Sequence, residues 1–84
     1  MESDIARKVV RLVADAAKVP PEQITPESTF AGLGVDSLVA IGIIGDLEEA
    51  YGIAVPNEEA VRIRTVGEAI ASLERALGVK GKGA

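Results

Sequence analysis

Histidine, cysteine and tryptophan are all absent from these 84 residues. Without cysteine there is no disulfide framework and no zinc–thiolate site. Without histidine, imidazole metal sites are excluded, and a serine nucleophile loses the base that usually activates it. Aromatic residues are nearly missing, with one Phe and one Tyr, so the core must be built from Val, Ile, Leu and Ala. Basic charge is also short: nine Lys and Arg against 13 Asp and Glu leave a formal net charge of −4. That balance argues against a nucleic-acid binder, which needs a basic face. No apolar run reaches the ~20 residues of a bilayer span, so no membrane insertion is expected. Met1-Glu2-Ser3-Asp4 is acidic and lacks the features of a signal peptide, which makes the expected location cytoplasmic. A chain of this length holds one domain, expected as residues 1–78 with a polar, glycine-rich tail at 79–84.

What is present reads as helices. Ile5, Val9, Leu12, Val13 and Ala16 recur at helical spacing and predict a first helix from about Asp4 to Ala17. Ser3 or Asp4 is its cap, and Val19-Pro20-Pro21 stops it. A long loop follows to about Val35, with Ile24, Phe30 and Leu33 as anchors. A second helix is predicted from Ser37 to about Tyr51, capped by Asp36 and ended by Gly52. Its apolar stripe of Leu38, Ile41, Ile43, Ile44, Leu47 and Tyr51 is wider than one neighbour requires. Asn57 to Arg62 reads as a short helical turn with Asn57 as cap. Thr65-Val66-Gly67-Glu68 matches a capping box, opening a last helix that buries Val66, Ala69, Ile70, Leu73 and Leu77. The fold class is therefore all-α, with three main helices, one short helix and a long first loop.

The run Leu33-Gly34-Val35-Asp36-Ser37-Leu38 puts one serine at the mouth of the second helix. With no histidine to act as its base, Ser37 reads as a residue that receives a group rather than one that catalyses. Framed by Phe30, Leu33 and Gly34, this segment resembles the attachment site of the acyl carrier protein family. The segment Leu47 to Ile53 with Val55-Pro56, and the segment Ile63 to Ile70, carry the same resemblance in the same order. The likeness covers about Ile5 to Leu77 and implies an acyl-carrier-like bundle.

That resemblance implies a non-catalytic protein with a 4'-phosphopantetheine arm on Ser37, whose thiol carries cargo as a thioester. A helix N-terminus suits the arm's phosphate, because its free N–H groups and dipole favour an anion. The cofactor-binding set implied is Ser37, Asp36 and Leu38, with Asp36 helping a phosphopantetheinyl transferase position magnesium and coenzyme A. An acyl pocket between the second and third helices is expected at Ile44, Leu47, Ala60, Ile63 and Ala69. Partner docking is expected at Leu38, Val39, Ile41, Gly42, Gly45, Glu48 and Glu49. The partners implied are that transferase and acyl-transfer or condensing enzymes, met by a monomer.

The docking face departs from the family pattern. Val39 and Gly42 stand where fatty acid synthesis members carry acids, and Gly45 where they carry a large apolar residue. Each interior helical glycine costs roughly 0.8–1 kcal/mol relative to Ala. Close approach of a partner helix or of the arm, and a tolerated weak spot, are both open explanations. The departures point to a discrete carrier of a polyketide or other specialised pathway rather than the general fatty acid carrier. The alternatives are an aminoacyl or peptidyl carrier loaded by an adenylating ligase, or an unmodified helical interaction module with the same fold.

Overall fold

The computed structural model describes residues 3–78; the expected tail at 79–84 lies outside them. Helix α1 spans Asp4–Ala17, α2 spans Ser37–Tyr51, α3 spans Asn57–Ala60 and α4 spans Val66–Leu77. A single 3-10 turn, Pro21–Gln23, interrupts the first loop. This is the all-α bundle with one short helix that the sequence predicts.

Local chemistry sets the helix ends. The Ser3 hydroxyl accepts from the Ala6 amide at 3.1 Å, so Ser3 rather than Asp4 caps α1. Lys18 and Gly52 close α1 and α2 in the left-handed region, where their amides reach back to Ala14 and Glu48. At α4 the Thr65 hydroxyl accepts from the Glu68 amide and the Glu68 carboxylate accepts from the Thr65 amide, a complete capping box. Helix α3 has no side-chain cap: Asn57 is its first helical residue, not its cap, and Pro56 holds the cap position.

Helices α1, α2 and α4 pack around one aliphatic core. Ile5, Val9, Val13, Val66 and Leu73 are almost fully enclosed, each contributing roughly 1.5–3 kcal/mol by leaving water. Two expected core positions are exposed instead. Ala16 sits in the last turn of α1, where Val13, Ala14 and Ala17 face inward in its place. Leu77 is in the final turn of α4, beyond the part of the helix that faces its neighbours.

Helix α2 divides its wide apolar stripe between core and surface. Its inner face is Ala40, Ile43, Ile44 and Leu47, whereas Leu38, Val39 and Ile41 are exposed. Ala40, too small to stand out in a hydrophobic pattern, is the residue that turns the first turn inward.

The first loop is anchored by Ile24, Phe30 and Val35, with Leu33 half-buried. It is also zipped to the α3–α4 junction. The Phe30 amide donates to the Arg64 carbonyl at 3.0 Å and the Val66 amide to the Ser28 carbonyl at 2.9 Å, forming an isolated antiparallel bridge between Thr29 and Thr65. The segment that delivers Ser37 is thereby fixed to the segment that follows α3.

Candidate functional site

Ser37 opens α2, and its side chain is exposed. Two local devices present it. Gly34 takes φ +77, a left-handed conformation that favours glycine, and turns the chain just before the buried Val35. Asp36 then caps the helix, its Oδ1 accepting from the Val39 amide at 3.0 Å. The Asp36 carbonyl accepts from Ala40 in the first helical bond. Among the described residues, the amides of Ser37 and Leu38 find no partner within the protein, which leaves a donor-rich helix end beside the serine hydroxyl.

Ser37 and Asp36 stand at one end of a groove of about 790 Å³. Ala40, Ile41 and Ile44 of α2 line one wall. Ala60 of α3 and the following Val61, Ile63 and Arg64 line the other. Thr29, Phe30, Ala31, Gly34 and Val35 of the first loop complete the lining. The lining is mainly apolar, so the groove suits an aliphatic chain led in from the serine.

Three of the expected pocket residues, Ile44, Ala60 and Ile63, line this groove. Leu47 and Ala69 do not; each is 2% exposed and packed in the core, because α2 and α4 press together there. The loop residues and Val61 were not anticipated, since only the backbone pairing of the loop with Arg64 and Val66 brings them alongside α2.

The expected docking residues divide in the same way. Leu38 is 79% exposed, and Val39, Ile41, Gly42 and Glu49 are also exposed, with Gly45 half-buried. Residues 38, 42, 45 and 49 fall along one line of the helix surface. Glu48 is different. It is half-buried, and its carboxylate accepts from the Val55 amide at 2.6 Å, bracing the extended connection that leads to α3. Neither glycine is required by packing within this chain, because a Cβ at Gly42 or Gly45 would meet nothing within 4 Å.

No cluster of His, Cys, Asp or Glu able to hold a metal ion occurs among the described residues. No described helix is long and apolar enough to cross a membrane.

Comparison with known proteins bears on this geometry. Residues 7–73 match the phosphopantetheine attachment site family. The acyl carrier protein of Thermosynechococcus vestitus is 41% identical over 70 residues, covering 82% of this chain and 86% of that one. The acyl carrier protein of Azobacteroides pseudotrichonymphae is 39% identical over 74 residues, covering 86% and 87%. The crystal structure of an acyl carrier protein from Thermotoga maritima superposes with a TM-score of 0.75 at 26% identity, covering 88% of this chain and 87% of that one.

Proposed function

This chain belongs to the acyl carrier protein family, and on that premise we propose that Ser37 bears the 4'-phosphopantetheine arm and that the groove beside it receives the acyl chain. The domain is a non-catalytic carrier: the family's matched region is the site at which phosphopantetheine is attached. The bound arm supplies a thiol on a flexible tether, which this chain lacks because it has no cysteine.

The observation that carries the assignment of Ser37 is its position. It is an exposed hydroxyl on the first residue of α2, beside two unpaired amides and at the end of an apolar groove. In the attachment step the Ser37 oxygen gains a bond to phosphorus, and the adenosine bisphosphate portion of coenzyme A leaves. The hydroxyl proton passes to a base on the transferase, since no imidazole is available here.

Acyl intermediates are the proposed cargo, in keeping with the names of the curated relatives. The proposed setting is a dedicated partner set of a polyketide or other specialised pathway. The support for that finer reading is the α2 surface, where Leu38, Val39, Ile41 and Gly42 are exposed and the free acids are pushed out to Asp46 and Glu49. A monomer in the cytoplasm is the matching expectation.

Intact mass after incubation with coenzyme A and a broad-specificity phosphopantetheinyl transferase tests the assignment. One added arm is expected on the wild type and none on Ser37→Ala. An arm on the Ser37→Ala variant would place the attachment elsewhere.

A further inference from the structure

Ser72 is the buried polar side chain of the core, 5% exposed in the middle of α4. A hydroxyl in that position needs a partner. The partner comes from α3: Ser72 Oγ donates to Glu59 Oε2 at 2.6 Å. Arg75, one turn further along α4, donates to the same carboxylate oxygen and forms an ion pair with it. Arg75 also reaches Ser72 Oγ at 3.3 Å.

None of the trio lines the groove; it lies where α3 meets α4. Glu59 is followed directly by Ala60 and Val61, which with Ile63 form the groove wall facing α2. Helix α3 is four residues long and has no side-chain cap. Besides the trio, Ala60 and Ile63 rest on the core, and the flanking segments are tied by Glu48 to Val55 and by Phe30 to Arg64. A single turn is unstable alone, so its position depends on tertiary contacts. The charged groups around Glu59 are Arg62 on its own segment and Glu68 and Arg75 on α4. Only Arg75 bonds it, and the carboxyl is held below its ordinary range by the Ser72 hydroxyl first and Arg75 second.

We propose that Glu59 is a positioning residue, clamped by Ser72 and Arg75, that holds the α3 wall of the groove against α4 and so sets how well the groove shelters cargo on Ser37. The sheltering half of this inference rests on the reading of Ser37 and its groove given above; the clamp itself does not. A chain resting between α2 and α3 needs the α3 wall in place. When the clamp is broken, the wall swings on the uncapped turn and water reaches the thioester.

The test uses the full chain with an octanoyl-phosphopantetheine arm. Glu59→Gln, Ser72→Ala and Arg75→Ala are compared with Glu58→Gln, a change to an α3 acid outside the trio. Two readouts are taken: hydrogen exchange of the amides at residues 59–63 in the protein without its arm, and the rate of thioester cleavage by hydroxylamine. The three clamp variants are expected to raise both by about tenfold, the loss of one charge-assisted hydrogen bond from a local opening, while Glu58→Gln moves neither. Arg75→Lys is expected to restore most of the protection. Ser72→Ala alters a core position, so a urea melt of each variant identifies any general loss of fold, and Glu59→Gln on the half-buried face decides the question independently. Unchanged exchange in Glu59→Gln overturns the clamp. Raised exchange with unchanged cleavage overturns the link between the clamp and the cargo. A wild-type chain that accepts no arm defeats the reading of Ser37, and the exchange data still decide the clamp.

Discussion

The Gly67 amide donates to the Pro26 carbonyl at 2.9 Å, and a Cβ on Gly67 would stand 2.9 Å from that same oxygen. The contact lets the first loop lie directly on the opening turn of α4. It continues the pairing of Phe30 with Arg64 and of Val66 with Ser28, so three backbone hydrogen bonds tie the first loop to the start of α4. Gly67→Ala should gain up to about 1 kcal/mol in helix propensity, yet overpacking against a rigid backbone costs about 1–3 kcal/mol. The expected net result is a loss of about 1–2 kcal/mol, read as a lower urea midpoint at unchanged slope. A variant more stable than wild type would mean that the loop yields at no cost.

Much of the fold was legible because helix ends are local. The predicted limits of α1 and α2 agree with the observed ones, since Ser3, Asp36 and Gly52 act on neighbours within four residues. The Thr65 capping box was equally readable. Orientation was less so. The stripe of large apolar residues was wider than one neighbour requires and did not say which members face the core. Ala40, Ile43, Ile44 and Leu47 do, while Leu38 and Ile41, expected on the docking face, are exposed. The groove drew on contacts distant in sequence, so Thr29, Ala31 and Val61 went unnoticed, while Leu47 and Ala69 lie in the core rather than in its lining. Glu48 and Ser72 could not be assigned from sequence either, because their partners Val55 and Glu59 are fixed only by packing.

Gly42 and Gly45 answer a question the sequence raised. Open space surrounds a Cβ at either position, and neither residue takes a positive φ. Nothing in the isolated domain therefore requires glycine there. Gly42→Ala and Gly45→Ala should each stabilise the protein by about 0.5–1 kcal/mol through helix propensity alone. Chemical denaturation checks this directly. Acyl transfer with cognate partners separates the two remaining explanations: a loss despite higher stability assigns the glycines to docking, and unchanged transfer leaves them a tolerated weak spot.

Three side chains contribute to the pH dependence of stability. Glu68 is held below its ordinary 4.5 by the amides of Arg64 and Thr65, and Glu59 by Ser72 and Arg75. Their contribution is fully present above about pH 4.5 and is lost as pH falls through their lower folded values. Tyr51 is displaced in the opposite sense. Its hydroxyl donates to Asp4 at 2.9 Å, and that bond raises its pKa above 10.0. Its contribution is present below 10.0 and disappears as pH rises through the folded value. Thermal melts across pH should show an acid limb that Glu59→Gln and Glu68→Gln each flatten, and an alkaline limb that Tyr51→Phe removes. An acid limb unaltered in both glutamate variants would assign acid unfolding to other carboxylates.

Leu38 lies beside Ser37 and is 79% exposed, so any enzyme acting on the serine must cover it or avoid it. Covering a leucine contributes roughly 1.5–3 kcal/mol, most of which Leu38→Ala would forfeit. Asp46 and Glu49 are solvated charges further along the same helix, and rim charges alter encounter rates and salt dependence more than affinity. With the phosphopantetheinyl transferase as the measured partner, Leu38→Ala should raise KM about tenfold at low and high salt alike, with kcat largely retained. Asp46→Asn and Glu49→Gln should change KM by no more than about twofold, and only at low salt. The opposite pattern, a steep salt dependence that vanishes in the two acid variants and a neutral Leu38→Ala, would make docking electrostatic. The apolar character of α2 would then carry no weight in choosing partners.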